Sequence, residues 1–317
     1  MNCIKSHTEN SVPVITVLLT VWNEERYLSL TLDSVLKQTF KNFEFIIVDD
    51  GSSDKTPAIL KSYTNRDNRI RLFHQKNTGC ATASNLGLRH ARGNYLARID
   101  GGDICFPTRL EAQLRFMETR PEIVALGSNV LNIDADGDPV SISTQPIGHD
   151  AIERMDLNKS GGGQVHPTMM IRRNALERIE GYREKFPYAL DLDLRLRLAE
   201  IGTLANMPDV LVKIRFRKNG VSASRTCEQQ RYVRVIVRDA CKRRGLPQEI
   251  ADKFRLTPPY TIDAFHRRLA ASAIWGGYLK TAAKHAYLGI YHKPNRFENW
   301  VMLSRVYWHQ IKHSLPN

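Results

Sequence analysis

Acidic side chains follow three of the apolar segments in the first third of the sequence. Glu24 comes after the first segment, Asp49 and Asp50 after the second, and Asp100 after a later one. A carboxylate at the end of a buried strand is fixed and dry, which suits it to accept hydrogen bonds from a nucleotide's base and ribose. Two local alternatives stay open, because Asp50 with Gly51 can simply form a turn and Glu24 can be a first-turn acid favoured by a helix dipole.

The segments between these acids alternate between strand-like and helix-like patterns. Short β-branched apolar runs predict buried strands at 12–23, 43–48, 69–75 and 94–100, and apolar residues at helical spacing predict helices at 24–38, 56–63, 82–91 and 109–119. Such alternation with short connections is typical of an α/β fold with a doubly wound parallel sheet, whose ligands bind beyond the carboxyl ends of the strands. We therefore expect the acids to converge on one site.

The rest of the chain is less regular. Residues 165–173 predict a strand, and residues 190–198 alternate apolar and charged side chains, which taken alone is also typical of a strand. From residue 225 the chain looks helical to its end, with a break at Pro258-Pro259. Between residues 211 and 317 there are 21 Lys and Arg against 6 Asp and Glu, whereas the first 210 residues carry 25 against 27. The net charge of +13 therefore comes from the C-terminal third.

Several classes of protein are disfavoured by what the sequence lacks. It has no phosphate-binding loop, no dinucleotide-binding glycine motif and no nucleic-acid-binding motif, so we expect no nucleic-acid partner. The N-terminus lacks the apolar core of a signal peptide, and the longest apolar runs are near half the length of a spanning helix, so we expect a cytoplasmic protein. Five widely spaced cysteines without metal or redox spacing predict free thiols: Cys3, Cys80, Cys105, Cys227 and Cys241.

An ordered series of sequence blocks resembles the family 2 glycosyltransferases. The donor half is represented by TVWNEERYLSLTLDSVLKQTFKNFEFIIVDDGSSDKT, NTGCATASNLGLRHARGNYLARIDGGD and ICFPTRLEAQ, and the acceptor half by HPTMMIRR, GYREKFPYALDLDLRLRLAEIG and ANMPDVLVKIRF. The resemblance covers about residues 13–224. It implies the GT-A fold, a Rossmann-like and mostly parallel doubly wound sheet, here with a C-terminal helical extension.

The resemblance also implies an activity and a division of the chain. The activity is inverting transfer of a sugar from a nucleotide-diphosphate donor, most often a UDP-sugar, to a saccharide or lipid-linked acceptor in surface polysaccharide biosynthesis. We expect a tail at 1–11 and a glycosyltransferase domain at 12–224, with its nucleotide-sugar half at 12–115 and its acceptor half at 116–224. A basic helical region follows at 225–317. The positions that the resemblance assigns to the nucleotide sugar are Thr20, Val21, Glu24, Asp49, Asp50, Asn85, Asp100 and Arg217.

The metal-binding block departs from the family pattern of Asp-x-Asp-Asp. This chain has Asp100-Gly101-Gly102-Asp103, so Gly102 stands where the family has a metal-binding carboxylate, and Arg217 stands where related members often have a metal-reaching His. Three interpretations stay open. Arg217 replaces the divalent cation with a fixed charge, or Mn²⁺ or Mg²⁺ is held in a displaced site by Asp100 and Asp103, or the protein binds nucleotide sugars with little or no turnover. Asp103 could also merely cap the next helix.

A second block supplies a candidate catalytic base. Inverting transfer needs one group to take the proton of the acceptor hydroxyl, and carboxylates do this in sugar chemistry. The family's base belongs to a Glu-Asp-x-Asp block at a helix start, which matches Leu190-Asp191-Leu192-Asp193 and makes Asp191 the candidate. Asp191 could otherwise be only an N-cap. Asp193 is expected to orient the helix or bind acceptor, and His166 to be structural or to line the acceptor site.

The basic C-terminal region has two open interpretations. Its mixture of Lys and Arg with Trp, Tyr and aliphatic residues suits an interfacial helix on an anionic membrane, which would place the protein peripherally at the inner face of the plasma membrane. Alternatively, its helices pack on the catalytic domain and expose their charges to water.

Overall fold

The computed structural model describes residues 12–158, 162–218, 226–254 and 260–314. The strands of these residues are β1 (Ile15–Val21), β2 (Phe43–Asp49), β3 (Ile70–His74), β4 (Tyr95–Asp100), β5 (Ile104–Cys105), β6 (Ile123–Ile133), β7 (Pro139–Ser143), β8 (Met170–Arg172) and β9 (Thr203–Arg215). The helices before residue 200 are α1 (Leu28–Leu36), α2 (Thr56–Thr64), α3 (Cys80–His90), α4 (Arg109–Glu118), α5 (His149–Asn158), α6 (Arg173–Arg178) and α7 (Leu190–Ala199). The later helices are α8 (Thr226–Arg244), α9 (Ile262–Trp275), α10 (Leu279–His292) and α11 (Phe297–Ser314).

One sheet in the order β3-β2-β1-β4-β8-β6-β9-β5 carries all of these strands, with β7 beside β6. Strands β3, β2, β1 and β4 are mutually parallel, which confirms the prediction for the first hundred residues. The other half is mixed, because β8 is antiparallel to both β4 and β6 while β6 and β9 run parallel. The sheet thus changes character between β4 and β6.

The first strands are apolar on both faces because both faces are covered. On β1, Val17 and Leu19 belong to one core while Leu18 belongs to the other, and Phe45 and Ile46 divide in the same way on β2. A strand buried on both sides has no polar face to alternate with, which is why the sequence shows continuous apolar runs.

Two predicted elements are shorter than expected. Helix α1 begins at Leu28 rather than at residue 24, so Glu24 lies in a turn before the helix and is not a first-turn acid. The strand predicted at 165–173 is a 3₁₀ turn at His166–Thr168 followed by β8, whose three residues pair with β4 and β6.

The alternating pattern at 190–198 predicts a strand when taken alone, and that prediction is wrong, because these residues form helix α7. Leu192 and Leu196 pack against α8, while Leu194 and Leu198 pack into the core beside the sheet. The helix is therefore covered on opposite sides, and even the charged positions between these leucines are buried, with Arg195 inaccessible to solvent. A helix buried all round has no polar stripe, so its alternation mimics a strand.

The predicted C-terminal helices are confirmed, and they pack on the rest of the chain. Helix α8 lies against α7, and α9, α10 and α11 form a cluster that includes Val140 of β7. None of the helices in the described ranges is long and apolar enough to cross a bilayer. Pro258-Pro259 lies outside the described residues. Cys80, Cys105 and Cys241 are free thiols, whereas Cys3 and the side chain of Cys227 are outside the described part.

A cluster of charges joins α10 to the turn between β6 and β7. Lys284 Nζ lies 2.8, 2.6 and 2.7 Å from carboxylate oxygens of Asp134, Asp136 and Asp138. His285 Nε2 is 3.1 Å from Asp134 Oδ2. We call these five residues the Lys284 clasp. It fastens the helical region to the sheet through a lysine that occupies the middle of three acids.

Candidate active site

The carboxyl ends of the parallel strands bring the predicted donor residues together. In the sheet register Thr20 pairs with Asp100, and Val21 pairs with Asp49, which in turn pairs with His74. The convergence expected from the sequence is therefore confirmed. Since these residues end adjacent strands, they line one edge of the sheet.

Asp49 is buried at this edge, and its partners are local. Its Oδ1 accepts a hydrogen bond from the Ser52 backbone N–H at 3.1 Å, and its Oδ2 lies 3.1 Å from Nδ1 of His74. Asp49 is therefore fixed in orientation by a turn on one side and by an imidazole on the other.

Asp50 and Asn85 are engaged by the protein itself. The carboxylate of Asp50 accepts the backbone N–H groups of Thr78 and Gly79 at 2.9 Å each and holds the loop before α3. The amide of Asn85 exchanges two hydrogen bonds of 2.9 Å with the backbone of Tyr182. The polar atoms of both side chains are used in hydrogen bonds within the chain, so these residues position the loops around the site.

Asp100 ends β4 and is the most accessible acid of this edge, with 41% of its side chain exposed. Arg98, two residues earlier on the same face, is completely buried and donates from Nη2 to Asp100 Oδ1 at 2.7 Å. A buried guanidinium needs such a partner because an uncompensated buried charge is costly. The pair fixes the carboxylate while leaving part of it open to solvent.

The turn after β4 is closed by an ion pair between distant parts of the chain. Arg217 Nη1 donates to both oxygens of Glu24 at 2.7 Å, and its Nη2 donates to the carbonyl of Gly101 at 2.8 Å. Arg217 lies two residues beyond the end of β9, and it reaches the turn because β9 runs antiparallel to β5, the short strand that follows the turn. Arg217 is thereby placed at Gly101-Gly102, next to Asp100.

Asp103 is buried beneath this turn and does not cap the next helix, which begins six residues later at Arg109. Its Oδ1 accepts the Arg215 backbone N–H at 2.9 Å. Burial, followed by the nearby charge of Asp100, raises the pKa of Asp103 well above its usual range. The side chain of Arg215 also donates to the Gly102 carbonyl, at 3.0 Å, so Asp103 and Arg215 together support the turn.

Asp191 lies in the first turn of α7, as the resemblance implied. Its Oδ2 accepts a hydrogen bond from Arg195 Nη1 at 2.9 Å, and Arg195 is held in turn by the buried Asp156 at 3.0 and 3.1 Å. The side chain of Asp191 is 31% exposed, whereas those of Arg195 and Asp156 are buried. Ala189, just before the helix, has a left-handed backbone with φ of 67°, a strained conformation of the kind often found at functional sites.

The surroundings of Asp191 keep it ionised. Burial by itself would raise the pKa of Asp191, but the charge of Arg195 and its hydrogen bond outweigh burial and hold the pKa below its usual value. A carboxylate that is charged at neutral pH can accept a proton, which is the state a general base needs.

His166 and Tyr182 form a hydrogen-bonded pair. His166 Nε2 is 2.8 Å from the Tyr182 hydroxyl. Burial and then the charge of Arg98 lower the pKa of His166 to about 4, while the charges of Asp100 and Asp191 act in the opposite direction. Both carboxylates therefore lie within electrostatic range of His166.

Unlike Asp191, Asp193 is fully engaged within the protein. It is buried, and its carboxylate is bound by Arg183 and by Arg197, whose Nε lies 2.9 Å from Oδ2. These pairs tie α7 to the preceding loop, which favours the orienting role over acceptor contact for Asp193.

Sequence reasoning missed the residues that hold the acids in place: Arg98, Asp156, Tyr182, Arg195 and Arg215. The i, i+4 spacing of Asp191 and Arg195 could have predicted their ion pair once the helix was recognised. An arginine inside an otherwise apolar strand, as at Arg98, was a second signal. Among the described residues, no group of three or more His, Cys, Asp or Glu side chains is arranged to hold a metal ion.

Comparison with known sequences gives one family. The sequence profile described as Glycosyl transferase family 2 matches residues 16–180. The chain is 33% identical over 243 residues to the putative glycosyltransferase EpsE of Bacillus subtilis, and this covers 75% of the chain and 85% of the relative.

Two solved structures resemble the fold. One is TarS 1-349 of S. aureus in complex with UDP-GlcNAc, with a TM-score of 0.58 and 18% identity, covering 92% of this chain and 79% of that one. The other is the mannosyltransferase PcManGT of Pyrobaculum calidifontis in complex with GDP-Man and Mn²⁺, with a TM-score of 0.59 and 17% identity, covering 93% and 80%. The GT-A architecture expected from the sequence is confirmed by these likenesses.

Proposed function

Because the chain belongs to glycosyl transferase family 2 and is a glycosyltransferase, we propose that it moves a sugar from a nucleotide-diphosphate donor to a hydroxyl of a saccharide or lipid-linked acceptor, with inversion, in surface polysaccharide biosynthesis. The observation that carries the proposal is that Asp100, at the end of β4, and Asp191, in the first turn of α7, are each held by a buried arginine and keep part of their carboxylate exposed. One acid belongs to the donor edge and the other begins a helix of the acceptor half.

The donor binds at the strand ends. We assign the nucleoside to Thr20, Val21 and Asp49, because Asp49 is a fixed acceptor at the sheet edge. Asp100 faces the ribose with its exposed portion. Asp50 and Asn85 act indirectly by shaping the loops around the donor.

Asp191 is the general base. It takes the proton from the acceptor hydroxyl while the hydroxyl oxygen forms a bond to the anomeric carbon. The bond from that carbon to the diphosphate oxygen breaks on the opposite face, and the nucleoside diphosphate leaves with the bonding electrons. Arg195 aims the carboxylate and is itself fixed by Asp156. His166 stays neutral beside the reacting centre and, with Tyr182, forms its floor.

The test is turnover by purified protein. It is incubated with UDP- and GDP-sugars and a panel of saccharide and lipid-linked acceptors, and released nucleoside diphosphate and the anomeric form of the product are measured. Release of nucleotide with an inverted product is expected. Binding of donors without any release would support the rival, a nucleotide-sugar-binding protein without turnover. A product with retained configuration would remove Asp191 as a base of this kind.

The helical region carries an exposed aromatic face. Helix α11 buries Met302, Leu303 and Val306 on one side, yet its other side exposes a row of large apolar residues at helical spacing. The row, and its neighbours on α10, comprises Phe297, Trp300, Tyr307, Trp308, Ile311, Tyr287 and Tyr291. The Tyr287 and Tyr307 hydroxyls are hydrogen-bonded to each other, so the two helices present one surface.

This aromatic face binds an anionic membrane surface. Trp and Tyr favour the headgroup level of a bilayer, and the surplus of Lys and Arg in the last third of the chain complements anionic lipid. The helices pack on the catalytic domain with their other sides, so both alternatives from the sequence hold together in this proposal. It would place the active site at the membrane face where a lipid-linked acceptor is found.

Flotation with vesicles decides the membrane proposal. The protein is expected to float with vesicles containing anionic lipid at low salt, and less so at high salt. Trp308→Ser together with Ile311→Ser should abolish flotation, whereas the control Trp275→Ser, at an exposed tryptophan on α9, should not. Equal flotation of both variants, or none by the wild type, contradicts the assignment of this face.

A further inference from the structure

The residues around Gly102 do not fit the divalent cation that the fold family implies. A Cβ built on Gly102 would lie 3.3 Å from both Cζ and Nη2 of Arg217 and 3.4 Å from Oε1 of Glu24. The space into which a carboxylate at this position would project is therefore already filled by a guanidinium. The backbone agrees, because Gly102 has a φ of +92°, a conformation that side-chain-bearing residues rarely adopt.

The other acids near this turn each accept hydrogen bonds from the protein itself. Glu24 is bound through both oxygens by Arg217, and Asp103 is buried with Oδ1 on the backbone of Arg215. Asp100 alone keeps a substantial exposed portion. Since Mn²⁺ and Mg²⁺ are held by several oxygen ligands, one accessible carboxylate beside a fixed positive charge is a poor site for either.

We propose that Arg217 takes the place of the metal ion and binds the donor diphosphate directly. This inference rests on the proposed function, because it needs a nucleoside diphosphate at the strand ends. A guanidinium has five N–H donors in a planar fork that matches the oxygens of a phosphate. The bonds to Glu24 and Gly101 use three of these five N–H groups, so two remain for a ligand, and 33% of the side chain is exposed.

The guanidinium is held in place before any ligand arrives. Glu24 and the carbonyl of Gly101 fix it from one side, and its Cζ lies 5.6 Å from the ring centroid of Tyr27. The same ring lies 4.5 Å from Cζ of Arg215. Two arginines stacked near one aromatic ring and tied to the Gly101-Gly102 turn form a preorganised positive edge, which loses little freedom when an anion binds.

Arg217 would act on the leaving group by charge alone. When the bond between the anomeric carbon and the diphosphate oxygen breaks, the diphosphate gains negative charge, and the guanidinium stabilises that charge through hydrogen bonds without transferring a proton. The charge belongs to the protein itself, so this stabilisation does not depend on metal supply.

Calorimetric titration with UDP and with GDP tests the inference on the intact protein. Wild-type protein is expected to bind one of these nucleotides in EDTA, with an affinity that changes less than about twofold when Mn²⁺ replaces the chelator. Arg217→Gln should weaken diphosphate binding roughly tenfold to a hundredfold, the range expected for a lost charge-assisted hydrogen bond. It should leave binding of the free nucleoside unchanged, which a merely unfolded variant would not do.

Two further variants sharpen the result. Arg217→Lys, which keeps the charge but not the fork, should lie between wild type and Arg217→Gln. Arg238→Gln, which breaks a surface pair with Asp252, is the matched control and should bind diphosphate normally.

The outcomes separate the two proposals. Binding that disappears in EDTA and returns with Mn²⁺, or an Arg217→Gln variant that binds diphosphate as well as wild type, overturns the inference while leaving glycosyl transfer intact. Metal-independent binding that needs Arg217, in a protein without turnover, supports the inference and defeats the proposed function. Absence of binding by either nucleotide under every condition defeats both.

Discussion

Two regions of this protein pair acids with positive charges of the same chain, and they do so for different ends. In the candidate active site, hereafter called the edge, Asp100, Asp191 and Arg217 each pair with a partner of their own and keep between about a third and two-fifths of their side chains exposed. In the Lys284 clasp, one ammonium is shared by three carboxylates, and one of them, Asp134, is buried. Pairing at the edge leaves groups available to a ligand, whereas pairing in the clasp closes a contact between parts of the fold.

The difference shows that an acidic cluster does not by itself indicate a cation site. The turn that runs from Asp134 to Asp138 alternates acids in a way that suits a metal loop, yet Lys284 occupies its centre. Exposure alone does not distinguish the two regions, because Asp136 and Asp138 are 59% and 52% exposed. In the clasp all three carboxylates share one ammonium, whereas Asp100 and Asp191 each have an arginine of their own. The following predictions test that distinction, from the largest effect to the smallest.

Replacing the base should have the largest effect. Asp191→Asn keeps the shape of the side chain but cannot accept the proton, so turnover should fall about a thousandfold, as is usual for a lost general base. The melting temperature should change little because this side chain is partly exposed. Steady-state rates and thermal unfolding of the variant and of the control Asp209→Asn, at an exposed acid, are the measurements. Undiminished turnover would contradict the assignment of the edge as catalytic.

Replacing the lysine of the clasp should affect stability and not chemistry. Lys284→Met leaves three acids without their shared partner, one of them buried, and should lower the free energy of unfolding by about 3 kcal/mol. Urea denaturation measures the change, with Lys280→Met as control because Lys280 is exposed one turn earlier on the same helix. Turnover per folded molecule should stay within a few-fold of wild type; a loss like that of Asp191→Asn would mean that the two regions are not distinct in role.

Mild acid should weaken the helical region by a smaller amount. Burial, and then the neighbouring His285, His292 and Lys218, lower the pKa of His266 from 6.5 to about 4, against the opposing charge of Asp134. In mild acid, His266 is therefore protonated in the unfolded chain but neutral in the folded chain. Stability should be full above pH 6.5 and should fall by about 2 kcal/mol as the pH drops toward 4.

The pH dependence is checked by urea unfolding at pH 7 and pH 5. Replacing His266 by Asn should make the dependence between these two values shallower, because one of the histidines with a lowered pKa is then absent while His166 and His285 remain. A variant that loses stability in acid as steeply as the wild type would show that this histidine is not the cause.

The sequence was a good guide to the parallel half of the fold and a poor one to α7. Strands such as β1 and β2 are buried on both faces by helices that follow them directly, so local pattern and final environment agree. Helix α7 is covered on one side by α8, which comes some thirty residues later in the chain, and its buried Arg195 needs Asp156, 39 residues earlier. Local alternation cannot reveal partners that distant.

The candidate site likewise has parts that the sequence predicted and parts that it did not. The convergence of Asp49 and Asp100 follows from strand order and was predictable, as was Asp191 from its block. The contact of Arg217 with Glu24 joins residues 193 positions apart, and only the antiparallel pairing of β9 with β5 brings it about. Its position could be matched to the family's histidine, but nothing local to either residue shows that the two side chains meet.

Arg215 has a consequence for how far the protein can be divided. Its guanidinium reaches the carbonyls of Asp134 and Ala135 on one side and that of Gly102 on the other. A chain shortened after residue 224 would lose not only Lys284 but also the helices that pack on β7, and the turn whose carbonyls Arg215 contacts would lose that support. We therefore expect the glycosyltransferase domain, residues 12–224, to have a more mobile Gly101-Gly102 turn when it is produced alone. The helices would then be a functional part of the enzyme and not a detachable tail.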